Sequence, residues 1–348
     1  MKVDVILGLQ YGSEAKGLVA SELAIKKEYD MAITVNSCQA GHTSYFLKDG
    51  EYIKIVNRQL PSSFPFVKKI IIGAGAMVKP HVLKEEIERL ESLGFNIRDN
   101  LYIDNHAGIV ADDAGEHEAE LVNNIGSTGE GVGWAMSERV MRRAPVAKDI
   151  PAFRDYGTLC DVSKLYEPNV SALIEGSQGF GLSLFHSHYP KCTSRDCGVS
   201  AFLSGAGVNF RDVVDVYGIA RTFPIRVGTV VKTSGYMMNE TDWETVNRLS
   251  GYAQRGIDLT EKTTVTGRIR RISTWDADLV AKAVAMNGVN KMCMTFINYL
   301  NADDDQAREY DDLSDISKKF IKQVGAEVGC NVSHASVDPY RMFEVPQV

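Results

Sequence analysis

Gly8-Leu9-Gln10-Tyr11-Gly12-Ser13-Glu14-Ala15-Lys16-Gly17 lies between two segments of different character. Residues 3–7 are a short apolar run that reads as a buried strand, and residues 18–25 read as a helix. Strand, glycine-rich loop, lysine and helix, in that order, gather backbone N–H groups and a helix N-terminus around a phosphate. Lys16 adds a point charge where β- and γ-phosphates would lie. The stretch departs from the pattern GxxxxGK[ST], because Gly17 follows Lys16 and Leu18 comes next. Taken alone, it is either a phosphate cradle or a tight strand-to-helix turn.

Outward from this loop the chain alternates between strand and helix patterns. Residues 31–35, 69–72 and 101–103 read as strands, as do 170–174, 213–219, 291–297 and a short run at 330–333. Residues 45–47 and 52–56 form a hairpin around Asp49-Gly50. Helices are predicted at 80–93, opened by Pro80 and closed by Gly94, and at 276–287 and 313–324. An acidic helix is predicted around 112–122, and Trp275 and the methionines of 286–294 read as core. This order predicts an α/β fold, a single large domain over residues 1–348 with a central, mostly parallel sheet flanked by helices.

The 348 residues are 44% hydrophobic and 24% charged, as in ordinary globular proteins. A formal charge of −7 argues against a nucleic-acid polymer as partner, yet permits a small anion held by local arginines. Six scattered cysteines without a CxxC pair point to a reduced, cytoplasmic protein, and no run has the length to span a membrane. His186, His188, Cys192 and Cys197 match no common zinc spacing.

Five glycine-bearing stretches carry a resemblance. Residues 8–17 resemble GxQWGDEGKG, residues 39–43 NAGHT, and residues 125–134 IGTTGxGxGP. Residues 175–179 with 189–194 resemble EGAQG…YPxVTS, and residues 265–271 TTGRRRR. These are motifs of the adenylosuccinate synthetase family, and the length is similar to its short archaeal type. The resemblance implies that family's P-loop-NTPase-like fold and a C–N bond-forming ligase. Such a ligase joins L-aspartate to position 6 of IMP with GTP and Mg²⁺. In this chain it implies catalytic roles for Ser13, Lys16, His42 and Gln178. The phosphoryl donor would lie against Gly12, Ser13, Glu14, Ala15, Lys16, Gly17, Gly41, His42 and Thr43, with its base near Asn298 and Ser336. The acceptor nucleotide would meet Ser13, Gln39, Ser127, Thr128, Gln178 and Thr193, and Arg142 from the other subunit of a homodimer. Aspartate would be held by Val265, Thr266, Gly267, Arg268 and Arg270, and Mg²⁺ by Ser13 and the Gly41 carbonyl.

Departures from the motifs redirect the substrates. Ser13 stands where the family has an aspartate bonded to purine N1–H, and a shorter neutral hydroxyl leaves room for a 2-amino group. Asn298 replaces a carboxylate that accepts from guanine N1–H and N2–H₂. An amide offers one donor and one acceptor, which complements adenine. Gln39, Glu130 and Ile269 depart as well. Ser13 in this loop resembles the mark of a phage branch of the family, the 2-aminoadenylosuccinate synthetases, which accounts for Ser13 and Asn298 at once and implies dGMP as acceptor and ATP or dATP as donor in a host cytoplasm. A conventional IMP ligase and an inactive nucleotide-binding protein are the alternatives. For the N1 proton, water held by Ser13 and the carboxylate of Glu14 are both candidates.

Overall fold

In the computed structural model, which describes residues 1–228, 234–263 and 267–347, the opening apolar run becomes the strand Lys2–Gly8. Val3, Val5 and Leu7 share a core with Ala283 and Val324 from the helices Ala277–Asn287 and Asp315–Val328. Ile6 faces the other way, with Leu18, Val19 and Leu23 of the helix Lys16–Lys27. Successive side chains alternate across a strand, so a strand covered on both faces must be apolar throughout. That is why residues 3–7 show no polar stripe beyond the buried Asp4.

This strand sits near the middle of a ten-stranded sheet. On one side follow Ser171–Glu175, Met31–Thr34, Lys69–Ile72, Leu101–Asp104 and Thr158–Cys160. On the other lie Val213–Arg221, Lys291–Thr295, Val332–Ala335 and Phe343–Glu344. Every pairing is parallel except the last, between Val332–Ala335 and Phe343–Glu344. The register aligns Ile6 with Glu175, Gly8 with Ile219, Thr34 with Glu175 and Arg221 with Thr295. The loops leaving these strands therefore emerge on one rim, where open α/β sheets hold ligands.

The hairpin forms as expected, His42–Lys48 pairing with Glu51–Asn57 across Asp49 and Gly50, both at positive φ. Several expectations need correction. The acidic segment divides into a 3₁₀ turn, Ala114–Glu118, and a short helix, Ala119–Ile125. The strand at 291 stops at Thr295, because Phe296 turns left-handed with φ 57°. Thr158–Cys160 is an edge strand too short to carry a periodic signal. Trp275 is only half-buried against Phe320, and Met286 is exposed, whereas Met292 and Met294 are core. No helix among the described residues is long and apolar enough to cross a membrane.

One contact fixes the loop's helix against the hairpin. A Cβ at Gly17 would lie 2.2 Å from the Thr43 carbonyl and 2.9 Å from Ser62 Oγ. Only glycine lets the backbones approach this closely, and so brings Lys16 and His42 to adjoining walls. Gly17→Ala is expected to destabilise the fold by about 1–3 kcal/mol through overpacking, seen as a lower urea midpoint; an unchanged midpoint would refute this close approach.

Candidate active site

The phosphate-type loop is organised from beneath by Glu14. Its carboxylate is fully buried, accepting from Gly12 N at 2.6 Å and from Lys16 Nζ at 2.8 Å. A Cβ at Gly8 would come within 2.4 Å of one carboxylate oxygen, and one at Gly179 within 2.7 Å of the other. The carboxylate is thus committed to the loop, which removes Glu14 as a candidate for the N1 proton; only its backbone remains for a phosphate. Lys16 is also buried and already paired, so its charge is partly balanced before any ligand arrives.

Ser13 stands exposed on the crest of this loop. Its φ of 61° and that of Ala15, also 61°, are left-handed, next to Gly12 at 89°. Gln178 on the neighbouring loop has φ 55°, and Arg142 has φ 60°. Non-glycine residues in this region carry strain of about 1 kcal/mol or more each. Such strain collects where function demands a particular backbone shape, and four residues singled out from the sequence share it. The family pattern has glycine where this chain has Ala15, a departure the motif shows but whose cost only the backbone reveals.

Across the loop, His42 is buried with Nδ1 2.5 Å from Glu175 Oε1. The Glu175 carboxylate also accepts from Ser62 N at 2.6 Å and Ser62 Oγ at 2.9 Å. It fixes the ring and leaves Nε2 as the nitrogen free to meet a ligand. Gln178 follows on the same segment, its Nε2 buried without a partner. Gln39 Oε1 and Asn298 Oδ1 are also buried and unpartnered. Buried polar atoms are nearly always satisfied; of the eight such side-chain atoms without a partner among the described residues, these three belong to residues that the motifs single out.

Asn298 requires a correction. Its Nδ2 donates to Tyr252 Oη and to Asp305 Oδ1, both at 2.9 Å. The Asp305 carboxylate demands a donor there and so fixes the amide's orientation. The side chain therefore presents an acceptor alone, not the donor–acceptor pair expected from its chemistry. Ser336 lies close by in space, its peptide accepting from Ile297 N at 3.1 Å while its hydroxyl donates to Asp338 O at 2.6 Å. Thr295 Oγ1 donates to Glu14 O at 3.1 Å, joining this segment to the phosphate loop.

Ser127 and Thr128 lie on the Gly-rich segment before the helix Val132–Val140, with Thr128 exposed. The start of that helix is occupied by buried Glu118, which accepts from Gly131 N at 3.0 Å and Trp134 N at 3.2 Å. The N-terminus of that helix is thereby taken by a side chain of the protein itself, while Thr128 stays open to solvent. Glu130 pairs with Arg58 at 3.0 Å and lies 3.7 Å from Lys79. Thr193 N donates to Leu182 O at 2.8 Å, keeping that segment against the Gln178 loop. Arg142 is exposed at the far end of the helix, away from these contacts, and its side chain has no ion pair within the chain among the described residues. Gly41 is exposed at the edge of the hairpin, and Thr43 is half-buried beside Gly17.

Of the residues expected to hold aspartate, Val265 and Thr266 lie outside the described residues. Gly267 and Arg268 are exposed on a turn closed by the bridge between Lys262 and Ile269. Arg270 is half-buried without a carboxylate inside 4.0 Å among the described residues, and burial pulls its pKa down. Arg226 and Arg195, held among the described residues by neutral oxygens, are each lowered to about 10 by burial. Desolvated guanidinium groups without an ion-pair partner among the described residues make this rim attractive to anions despite the acidic chain. Among the described residues no group of three or more His, Cys, Asp or Glu could hold a metal. The Ser13 hydroxyl and Gly41 carbonyl are neutral, hard oxygen donors, which fit a Mg²⁺ carried largely by substrate phosphates.

With the loop, the buried histidine–carboxylate pair and the arginine turn on one rim, the comparisons with known proteins are decisive. The family model for adenylosuccinate synthetase matches residues 5–158 and 156–305. The chain belongs to the adenylosuccinate synthetase family. It is therefore a C–N bond-forming ligase of the kind that joins aspartate to a purine nucleotide. The adenylosuccinate synthetases of Methanococcus maripaludis strain C5 and Archaeoglobus fulgidus are each 34% identical, over 97% of this chain and 97% and 96% of their own. Among solved structures, the cyanophage S-2L succinoaminodeoxyadenylate synthetase, bound to dGMP and dATP as an energy donor, superposes with TM-score 0.83. It is 25% identical and covers 99% of this chain and 96% of that one. The fully ligated adenylosuccinate synthetase of Plasmodium falciparum gives TM-score 0.84 at 20% identity, covering 99% and 100%.

Glu175, Arg221 and Glu261 escaped the motif reading as individual site residues. Glu175 and Arg221 each end an apolar strand with a charge, a signal that could have exposed them. Glu261 has no such mark. Since Ala15 occupies a glycine-type conformation, Ala15→Gly should stabilise the protein by about 0.5–1 kcal/mol, the relieved strain exceeding the entropy lost. A fall in the urea midpoint would contradict the left-handed geometry.

Proposed function

We propose that this ligase joins L-aspartate to the 6-position of dGMP, with ATP or dATP as phosphoryl donor. The products are ADP or dADP, phosphate and N6-succino-2-amino-2′-deoxyadenylate, a precursor of diaminopurine DNA. The observation that carries the reading is the exposed Ser13 hydroxyl on a loop whose one carboxylate, Glu14, is locked underneath. No acid of the loop faces the position where a purine 2-amino group must fit. The cyanophage protein bound to dGMP and dATP supports the same substrates.

In this scheme the γ-phosphoryl passes to O6, turning a poor leaving group into phosphate, and the aspartate amine then displaces it at C6. The N–H groups of residues 12–17 and Lys16 hold the donor's phosphates. Glu175 accepts from His42 Nδ1, so a bond donated from Nε2 to the transferring group means a ring carrying both protons, balanced by the buried carboxylate. Gln178 Nε2, buried and unpartnered, donates to the acceptor nucleotide. With Glu14 committed, the N1 proton leaves through water at the Ser13 hydroxyl. Arg268 and Arg270 grip the aspartate carboxylates in fork geometry. Gly41 and Ser13 would hold Mg²⁺ together with substrate phosphates, and the ion would supply charge neutralisation. Arg142, free on its own surface, fits a contribution to the neighbouring site of a homodimer.

For the donor base, the lone Asn298 Oδ1 acceptor suits an adenine amino group and offers guanine's two donors only one partner. The conventional reading, IMP with GTP, is favoured by the names of the archaeal relatives. Phosphate release measured over IMP, GMP and dGMP against ATP, dATP and GTP separates the two. Turnover is expected with dGMP and an adenine nucleotide; activity confined to IMP with GTP would overturn the proposal. Ser13→Asp should shift kcat/KM toward IMP by at least about tenfold, since a carboxylate crowds the 2-amino group.

Asn298→Asp alone would set two carboxylates side by side at Asp305. The double change Asn298→Asp with Asp305→Asn preserves the local hydrogen bonds and offers guanine a carboxylate. It should raise the kcat/KM ratio of GTP over ATP by about tenfold or more; an unmoved ratio would remove Asn298 from donor selection.

A further inference from the structure

Arg221 heads the large side chains with no exposure, and nothing in the chemistry above employs it. It ends the strand Val213–Arg221, and the Gln10 carboxamide clasps its peptide from both sides at 3.0 Å. Its guanidinium meets three walls of the site. Nη1 donates to the Ser13 carbonyl at 3.2 Å, and the two Nη atoms pair with Glu261. The flat face lies over Phe296, 3.9 Å from the ring centroid, two residues before Asn298.

Glu261 stands at the foot of the arginine turn. Its carbonyl accepts from Arg270 N at 2.9 Å, the Lys262–Ile269 bridge follows directly, and its carboxylate accepts from Tyr299 Oη at 3.3 Å. A guanidinium is rigid and planar and keeps its charge, so a shift of Glu261 is passed on to its bond with the Ser13 carbonyl. A fully buried cation also cannot release its carboxylate without a heavy cost. The Ser13 peptide and the foot of the turn are therefore joined through one rigid group.

We infer that Arg221 and Glu261 are positioning residues that couple the seating of the arginine turn on its carboxylate substrate to the placement of Ser13 beside the purine. The inference rests on the ligase reading above and adds to it the route by which two substrate sites sense each other. It gives a role to an arginine sealed between the phosphate loop, the aspartate turn and the shelf for the donor base.

Glu261→Gln keeps the shape and an acceptor but removes the charge; Arg221→Lys keeps the charge but loses the fork. Glu261→Gln is expected to raise the KM for aspartate at least about tenfold and, through Ser13, that of the purine acceptor at least about threefold, with the KM of the phosphoryl donor within about twofold of the parent. Arg221→Met should do the same, and Arg221→Lys should recover part of the loss. In hydrogen exchange, residues 10–16 and the amides of Thr263 and Arg270 should lose protection together in Glu261→Gln. A lower active fraction with unaltered aspartate KM, or lost protection in one segment alone, would overturn the coupling. Parent enzyme lacking aspartate-dependent phosphate release would defeat the ligase reading, while the exchange measurement would still decide the coupling.

Discussion

A buried carboxylate under a glycine-rich loop is the constraint on which this site depends. Glu14 loses its water entirely, and the cost is offset only by Lys16 Nζ and the Gly12 amide at hydrogen-bond distance. To admit it, Gly8 and Gly179 must lack side chains, and Gly179 in turn brings the Gln178 loop against the phosphate loop. The same burial leaves the crest of the loop to Ser13. One ion pair thus fixes the shape of the cradle, the place of its lysine and the neutrality of the surface that a purine would meet.

Around that pair the molecule stores charge unevenly. The chain carries a formal charge of −7, yet among the described residues its rim holds Arg195 and Arg226 on neutral oxygens and Arg270 without a carboxylate at ion-pair distance. Acids elsewhere lie on outer surfaces or are engaged, as Glu118 is at the start of a helix and Glu130 with Arg58. Two nucleotides and aspartate would bring several negative charges into this rim. Binding then completes an electrostatic arrangement that folding leaves unfinished, and strained residues such as Ser13, Ala15 and Gln178 hold the backbone in readiness for it.

Specificity is written in atoms left over once the fold has taken its share. An amide could have served either face of a purine, but Asp305 and Tyr252 consume its donor and leave Asn298 an acceptor. Likewise the loop contains two candidates for proton removal, and the interior takes one of them. Chemical type alone does not settle such choices, because each side chain has several partners within reach of its composition and the packing selects among them.

The sequence by itself determined the parallel sheet, the loop's place at the end of its central strand, and the family. Continuous apolar strands, Pro and Gly at helix ends and five glycine-bearing motifs are local signals that survive without coordinates. The Asp-Gly hairpin was legible for the same reason. Contacts between distant segments were not: His42 with Glu175, Arg221 with Ser13 and Glu261, and Asn298 with Asp305 join residues that no period or motif relates. Ala15 as a strained residue, the exposure of Met286 and the end of the strand at Thr295 were likewise decided by the tertiary structure. The physical reason is that burial and hydrogen-bond satisfaction belong to the packed whole, where each polar atom competes for the partners brought near it.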